Sequence, residues 1–437
     1  MSAITSPSAI ALAKESAVAE RPRTVEHADV KTAVPAAPAK QRLLSLDAYR
    51  GFVMVLMVSA GLGIPRVYST LAKEGHLSER ADRIWKFLAY ETDHTTWVGC
   101  SLWDIIQPSF MFMVGAAMAF SLASRRAKGQ SFWRMLFHAI VRSAVLIGLA
   151  VLFSTESKQD HTNWIFTNVL AQIGLGYTFL FLLACLPPSR QIAAVIGILV
   201  LHWSMFAIFP TPPANLDRSV VGVPANWHKL DGFAAHWDKN TNFAHNFDRW
   251  FLNQFPRGKD KLWAFNVGGY TTLNFVPSLG TMLLGLLTGE FLRGPREPKF
   301  KLKVMLAAGV AGLVVGWALS ELGVCPLVKR IWTPSWVIFS AGWALVLLGV
   351  FYFVIDIARV WRWSMPLVVV GANSIAVYTM SQLLHPWFRE ITKRHFGANM
   401  YNMFGPTWQP MMDMGVFLIF CWLACWWMYR SKIFVKI

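Results

Sequence analysis

The amino-acid sequence predicts an all-α integral membrane protein with about ten transmembrane helices, and three observations lead to this prediction. Of the 437 residues, 55% are hydrophobic and only 15% are charged, whereas soluble domains carry roughly 25% charged residues. Apolar segments close to the ~20 residues that cross a hydrocarbon core recur along the chain. Many of the 21 tryptophans lie where apolar runs meet polar loops, as in the aromatic belts at membrane surfaces.

Ten apolar segments are long enough to be spanning helices. They run approximately over residues 45–64, 102–123, 134–153, 166–186, 191–210, 275–292, 304–320, 335–356, 366–388 and 411–429. Residues 1–42 are rich in Ala, Pro, Ser and charge without an apolar core, which predicts a disordered cytoplasmic tail and not a signal peptide. Residues 43–437 form the predicted polytopic domain, and within it the aromatic segment 211–274 is expected to be an extracytoplasmic cap.

Basic residues are concentrated in alternate short connections between the apolar segments. These are Arg125, Arg126, Lys128, Arg134, Arg190, Arg293, Arg296, Lys299, Lys301, Lys303, Arg359, Arg362, Arg430, Lys432 and Lys436. The positive-inside rule then places both termini in the cytoplasm, and we expect a multi-pass protein of the plasma (inner) membrane. Because the net charge of +17 is segregated in this way beside anionic lipid, it does not indicate nucleic-acid binding.

The five cysteines form no metal-binding or redox motif, so no metal is predicted. Cys421 and Cys425 share a face of an apolar helix and are interpreted as packing residues. Cys100 and Cys325 fall on the predicted outer side and could pair, which the sequence alone does not decide.

Charged residues at the ends of the apolar segments require a reason, because charge is costly in a bilayer. Asp47 and Arg50 are three residues apart at the start of the first segment, so they share a helix face. They form either a structural ion pair or a site where Arg50 meets an anionic ligand from the cytoplasm.

A second polar group precedes the second apolar segment, on the predicted outer side. His94 follows Asp93 and could act as a general base or nucleophile, although a loop histidine is more often a surface residue. Asp104 and Gln107 lie three apart at the start of the helix, where buried polar packing is the default interpretation, and Pro108 is expected to kink or unwind that helix.

Further polar pairs lie inside apolar segments. His138 and Arg142 are four residues apart, as are Asn168 and Gln172, and Asn373 and Ser374 are adjacent in the ninth segment. Hydrogen bonding between helices explains the Asn373–Ser374 pair adequately, and none of the pairs is diagnostic by itself. Taken together, they also suggest a polar path through the bundle.

Three motifs in order resemble the transmembrane acyltransferase family of heparan-alpha-glucosaminide N-acetyltransferase and its bacterial relatives. The motifs are Ser45-Leu46-Asp47-Ala48-Tyr49-Arg50-Gly51, then His94-Thr95-Thr96-Trp97 with Trp103-Asp104-Ile105-Ile106-Gln107-Pro108-Ser109-Phe110, and Gly371-Ala372-Asn373-Ser374-Ile375-Ala376-Val377-Tyr378. The resemblance covers roughly residues 42–430 and is strongest over 42–125 and 366–386.

The resemblance implies that an acetyl group moves from acetyl-CoA to a sugar amine or hydroxyl on the non-cytoplasmic side. It places the family histidine at His94, and the expected catalytic residues are His94, Asp93 and Asp104. Acetyl-CoA would be held by Arg50, Arg142, Asn373, Ser374 and Gln172, with the arginines on its phosphates. The expected partners are the lipid bilayer, acetyl-CoA and an extracytoplasmic glycan or amino-sugar acceptor, and a homodimer is considered.

The sequence departs from the family pattern at two points. Gly61 stands where the family carries Asn, and the stretch 268–277 lacks the acidic segment of many relatives. Two further hypotheses therefore accompany the acetyltransferase. One is a transporter or flippase that moves a polar solute along the polar path, and the other is a catalytically inactive family member.

Overall fold

The computed structural model describes residues 43–75, 77–155, 161–213, 215–258 and 262–435. The predicted tail, residues 1–42, lies outside the described residues. Fifteen α-helices are present in the described part of the chain: α1 (Leu44–Ser59), α2 (Ile64–Glu74), α3 (Glu79–Glu91), α4 (Leu102–Ala127), α5 (Phe132–Ser154), α6 (Val169–Ala184), α7 (Pro188–Ile208), α8 (Phe243–Phe251), α9 (Phe275–Arg293), α10 (Pro298–Glu321), α11 (Pro334–Phe351), α12 (Met365–Ala372), α13 (Ser374–Leu383), α14 (His385–Phe396) and α15 (Gln409–Arg430).

The prediction of an all-α membrane protein is confirmed. Eight helical segments of the described chain are long and apolar enough to cross a membrane, the first of them running from Leu44 to Glu74 through α1 and α2. The bent pair α12–α13 makes a ninth if it is one span. The apolar helix α6 is shorter, with 16 residues, and it occupies the position of the fourth predicted segment. Counting α6 as a span gives the ten that the sequence predicts. No strand is formed by the described residues, apart from a single antiparallel bridge between Val98 and Val328.

Two predicted helices end or bend where the sequence suggested continuous structure. The first stops at Ser59 and is followed by a short turn, Ala60–Gly63, in which Gly61 has φ +62°. The segment predicted over 366–388 breaks at Asn373, and its two halves meet at 66°. Pro108, by contrast, does not divide α4, which continues as one α-helix from Leu102 to Ala127.

The centre of the bundle is held together by close contacts between helix backbones. A Cβ atom on Gly115 of α4 would lie 1.8 Å from the carbonyl oxygen of Met282, and one on Gly285 of α9 would lie 1.9 Å from that of Phe112. Glycine therefore allows α4 and α9 to pack face to face, as small residues do in membrane helix pairs. This contact fixes α4, which carries the polar residues Asp104 and Gln107.

The described parts of the cap segment, residues 211–274, pack on an aromatic core that they share with α7 and the loop before α4. Trp237 is fully buried and lies parallel to Phe206 of α7. Its carbonyl oxygen accepts a hydrogen bond from Nε1 of Trp97, at 3.1 Å. The cap therefore contacts the loop that carries His94.

Candidate functional site

Asp104 lies at the start of α4 and organises the loop before it. Ser101 and Asp104 form a capping box, in which each side chain accepts from the backbone N–H of the other. Oδ2 of Asp104 also accepts hydrogen bonds from the backbone N–H and the hydroxyl of Thr95, at 3.0 and 2.8 Å. The carboxylate is only 1% exposed, so these donors replace the water that burial removes. The loop geometry around His94 is fixed as a result.

The imidazole of His94 and the ammonium of Lys329 meet at the other oxygen of this carboxylate. Nδ1 of His94 is 2.8 Å from Oδ1 of Asp104, and Nζ of Lys329 is 3.1 Å from the same oxygen. Lys329 Nζ is also 3.0 Å from Nδ1 of His94. Because Nδ1 is engaged, Nε2 is the ring nitrogen left for a ligand. The geometry is suited to a general base or a nucleophile.

Lys329 reaches this site from the loop between α10 and α11. The Val98–Val328 bridge and the hydrogen bond from Gly99 N–H to the Leu327 carbonyl, at 3.0 Å, fasten this loop to the His94 loop. Burial lowers the pKa of Lys329, and the charge of Asp104 opposes that shift. Lys329 belongs to none of the sequence motifs. One feature of the sequence could have indicated it: Lys329 is a basic residue next to an apolar segment on the side predicted to be outside. The positive-inside rule does not explain a lysine at that place.

A cavity of about 310 Å³ opens beside His94 and Lys329. Helices α1, α4 and α13, the residues before and at the start of α6, and the cap contribute its walls. The lining residues are Met54, Met57, His94, Trp103, Ile106, Gln107, Phe110, Thr167, Asn168, Val169, Tyr270, Lys329 and Tyr378. Apolar walls with a few convergent polar groups are typical of a small-molecule site. We call this space the histidine cavity.

A second cavity, of about 370 Å³, lies between α4, α5 and α6. Its basic residues are Arg125, His138 and Arg142, and the remaining walls are mostly apolar. The guanidinium of Arg142 lies over the ring of Tyr177, 4.6 Å from its centre, and donates a hydrogen bond to the Tyr177 hydroxyl at 3.1 Å. Its Nε is buried without a hydrogen-bond partner. We call this space the arginine cavity.

One face of α4 lines both cavities. Trp103, Gln107 and Phe110 face the histidine cavity, whereas Met118 and Arg125 face the arginine cavity. These positions follow one another at spacings of three and four residues once Val114 and Ser121 are included, so they form one stripe. With a rise of about 1.5 Å per residue, Gln107 and Met118 are about 16 Å apart along the helix axis.

Of the three predicted catalytic residues, the structure brings two together. His94 and Asp104 are in contact, but Asp93 is exposed and its Oδ1 accepts from the backbone N–H of His94, at 2.7 Å. The partner of the imidazole ring is therefore Asp104, ten residues along the chain, and not its neighbour Asp93.

The predicted donor-binding residues do not surround one cavity. Arg142 lines the arginine cavity, and Arg50 forms the expected ion pair with Asp47, at 3.6 Å. Gln172 is buried, and its Nε2 donates to the carbonyl oxygen of Thr271 at 3.2 Å. None of these three residues lines the histidine cavity.

Asn373 and Ser374 are placed at the break between α12 and α13. The amide of Asn373 donates to the carbonyl oxygen of Ile433 and accepts from the N–H of Val435, at 3.1 and 3.0 Å. It therefore fastens the C-terminal segment to the bundle. Ser374 directs its hydroxyl to the carbonyl oxygen of Gly371, at 3.5 Å. Neither residue lines either cavity.

Gly61, the first departure from the family pattern, lies beside the His94 loop. A Cβ atom at this position would be 2.7 Å from the carbonyl oxygen of Thr92. The backbone before His94 therefore occupies the space that a side chain at position 61 would need. The departure at this position is accommodated by the local packing.

The five cysteines are all free, with Cys325, Cys421 and Cys425 buried. Among the described residues, no group of three or more His, Cys, Asp or Glu side chains could hold a metal ion.

Comparison with known proteins identifies relatives of this chain. It is 24% identical over 383 residues to the heparan-alpha-glucosaminide N-acetyltransferase of Homo sapiens, which covers 79% of this chain and 54% of the human protein. It is 23% identical over 389 residues to the Mus musculus protein of the same name, with the same coverage. The chain spans about half the length of these curated relatives. No family model matches it. The resemblance that the motifs indicated is confirmed.

Proposed function

We propose that this chain belongs to the transmembrane acetyltransferase family of its relatives and transfers an acetyl group from acetyl-CoA to an extracytoplasmic acceptor. The observation that carries the proposal is the pairing of His94 with buried Asp104 at the wall of a cavity between membrane helices. A buried carboxylate that orients an imidazole is the arrangement by which histidine serves as a base in acyl transfer. The similarity to two N-acetyltransferases supports the same chemistry.

The reaction requires His94 to accept one proton and then to return it. As the amine or hydroxyl of the acceptor attacks the thioester carbon, Nε2 of His94 takes its proton. The carbon–sulfur bond then breaks, and the same nitrogen returns the proton to the leaving thiolate of coenzyme A. The products are the acetylated acceptor and the free thiol. An alternative order, in which His94 first carries the acetyl group, uses the same atoms.

The residues of the arginine cavity support the hypothesis that acetyl-CoA enters from the cytoplasmic side. The three basic residues of this cavity, Arg125, His138 and Arg142, suit the phosphates of coenzyme A. The stripe of α4 that joins the two cavities would guide the flexible thioester arm toward His94. This assignment keeps Arg142 as a donor-binding residue and adds Arg125 and His138 to it.

The acceptor is proposed to be a glycan or an amino sugar that approaches from the side of the cap. This requires the orientation predicted from the basic residues, with both termini in the cytoplasm of a cell bounded by the plasma (inner) membrane. A homodimer is compatible with this arrangement and is kept as part of the proposal.

The experiment is acetyl transfer by the purified protein in detergent, with acetyl-CoA as donor and glucosamine as acceptor. We expect release of coenzyme A thiol, and we expect His94→Ala to reduce it by at least ~100-fold, the low end of general acid–base contributions. His228→Ala is the matched control, because His228 is exposed and lies outside both cavities.

Three outcomes would contradict the proposal. Undiminished thiol release by His94→Ala would leave the reaction without its base. Flux of a solute into proteoliposomes that does not depend on His94 would instead favour the transporter or flippase hypothesis. Absence of both activities in the wild-type protein would favour the inactive family member.

A further inference from the structure

Two groups approach Nδ1 of His94, although this nitrogen can make only one hydrogen bond in the ring plane. It lies 2.8 Å from Oδ1 of Asp104 and 3.0 Å from Nζ of Lys329. If Nδ1 carries the proton, it donates to Asp104 and Nε2 is free to act as a base. If Nδ1 accepts from Lys329, Nε2 carries the proton and cannot act as one. The role of Lys329 therefore depends on which of these two partners Nδ1 binds.

The distances to Asp104 favour the first arrangement, in which Nδ1–H of His94 donates to Asp104. Oδ1 of Asp104 has two lone pairs, so it can accept from both Nδ1–H of His94 and the ammonium of Lys329, at 2.8 and 3.1 Å. The opposite arrangement would place the lone pair of Nδ1 against a carboxylate oxygen. Lys329 is 3% exposed and Asp104 is 1% exposed, so each charge needs the other inside the protein.

A carboxylate beside an imidazole has two effects, and only one of them helps catalysis. It orients the ring by accepting from Nδ1–H, and it also stabilises the positively charged imidazolium, which is not a base. A cation at the same oxygen cancels the second effect and leaves the first. In this site, the carboxylate and the ammonium together carry no net charge.

We propose that Lys329 is a positioning residue that neutralises Asp104, so that Asp104 orients the ring of His94 without holding it as an imidazolium. The role of this ring in acetyl transfer rests on the proposed function. The charge relation among the three groups does not.

The other ionisable groups around His94, Asp104 and Lys329 do not place a second cation on the Asp104 carboxylate. Arg330 directs Nη1 to the carbonyl oxygen of Gly268, at 2.8 Å, and Nη2 to that of Thr95, at 3.2 Å. Asp93 accepts from the backbone of His94, and Glu91 accepts from Leu102 N–H at 2.7 Å. The remaining ionisable groups near these three residues are Tyr90, Cys100 and Tyr270. Lys329 is therefore the cation in direct contact with Asp104 among the described residues.

The first test is the pH–rate profile of acetyl transfer by Lys329→Met, which keeps the length of the side chain and removes its charge. We expect the acidic limb to move to higher pH by about one unit or more, because an unbalanced carboxylate now faces the ring. In the acidic range, where the rate still rises with pH, turnover should be about tenfold lower than in the wild type. It should recover toward alkaline pH. Lys329→Arg should retain the wild-type limb.

The double variant Lys329→Met/Asp104→Asn separates a charge effect from a packing effect. It removes both charges, so the acidic limb should return toward its wild-type position even though the maximal rate is lower. A purely structural role for Lys329 would instead reduce the rate by the same factor at every pH and leave the limb in place. That result would overturn the proposal.

The second test does not depend on enzymatic activity. Diethyl pyrocarbonate modifies neutral imidazole and not imidazolium, and mass spectrometry of the peptide that contains residue 94 reports this site among the 11 histidines. We expect half-maximal modification of His94 to occur at higher pH in Lys329→Met than in the wild type. The same shift in a protein without acetyl transfer would support this proposal while contradicting the proposed function. An unchanged midpoint would overturn it.

Lys239→Met is the matched control in both tests. Lys239 is also a buried lysine, 5% exposed, but its Nζ lies over the ring of Trp227 in the cap, 4.4 Å from the ring centre. Its replacement removes a buried cation that does not contact Asp104. Neither the acidic limb nor the modification midpoint of His94 should move in this variant.

Discussion

At the scale of single residues, the site is defined by one buried carboxylate that is saturated with donors. Asp104 accepts from Ser101 and Thr95 on one oxygen and contacts His94 and Lys329 through the other. Such a carboxylate holds its neighbours in fixed positions, because moving any of them would leave buried polar atoms unpaired. Sequence motifs could indicate His94 and Asp104 because they are close in the chain.

The first residue-scale prediction concerns Gly61, where the family pattern has Asn. Gly61→Asn should lower both thermal stability and acetyl transfer instead of improving them. The new Cβ would approach the Thr92 carbonyl oxygen to 2.7 Å, and displacement of Thr92 would move His94 two residues later. We expect a loss of about 1–3 kcal/mol, as for other overpacked sites, measured by thermal unfolding in detergent.

Gly75→Asn is the matched control for this substitution. Gly75 also has a left-handed conformation, with φ +70°, but a Cβ atom at this position would have no neighbouring atom within 4 Å. It therefore carries the same backbone cost without the collision. A Gly61→Asn protein that is as stable as Gly75→Asn and more active than the wild type would contradict the packing argument.

At the scale of secondary-structure elements, the site depends on how α4 is held. Its capped first turn presents Asp104, its N-terminal half lines the histidine cavity, and its glycine-mediated contact with α9 fixes its position. Helix α4 lines both cavities, as does α6, and α4 also carries Asp104. A change in the packing of α4 should therefore alter the site without replacing any of its polar residues.

Gly285→Ala tests this dependence. The added methyl group would lie 1.9 Å from the Phe112 carbonyl oxygen, so α4 and α9 would have to separate. We expect a loss of about 1–3 kcal/mol in stability and a fall in acetyl transfer. Thermal unfolding and thiol release measure the two effects on the same preparation.

The control is Gly148→Ala in α5, where a Cβ atom would have nothing within 4 Å. Alanine has the higher helix propensity, so this variant should be as stable as the wild type or slightly more stable. Equal behaviour of the two alanine variants would show that the α4–α9 contact can relax without cost.

At the scale of the whole molecule, function depends on which end of the bundle faces the cytoplasm. The histidine cavity and the arginine cavity lie toward opposite ends of α4. A donor from the cytoplasm can enter the arginine cavity first only if the end of α4 near Arg125 is on that side. The distribution of Lys and Arg predicts this orientation.

Cysteine labelling tests the orientation in cells. In a background without the half-buried Cys100 and Cys185, Thr96→Cys should react with a membrane-impermeant maleimide on intact cells. Lys128→Cys should react only after permeabilisation, since it follows the opposite end of α4. Both positions are exposed in the structure, so the reversed labelling pattern would place His94 in the cytoplasm and contradict the proposed acceptor side.

The sequence by itself determined the class of fold and the approximate spans, and its motifs singled out His94, Asp93 and Asp104 without deciding which carboxylate contacts the imidazole ring. These features depend on local composition or on residues ten positions apart, and hydropathy is a property of contiguous segments. The tertiary structure decided that Lys329, 235 residues from His94, completes the site. It also decided that Asn373 binds the C-terminal segment, 60 residues away at Ile433. Contacts of this kind arise from helix packing, in which residues distant in the chain meet because backbones at positions such as Gly115 and Gly285 approach closely.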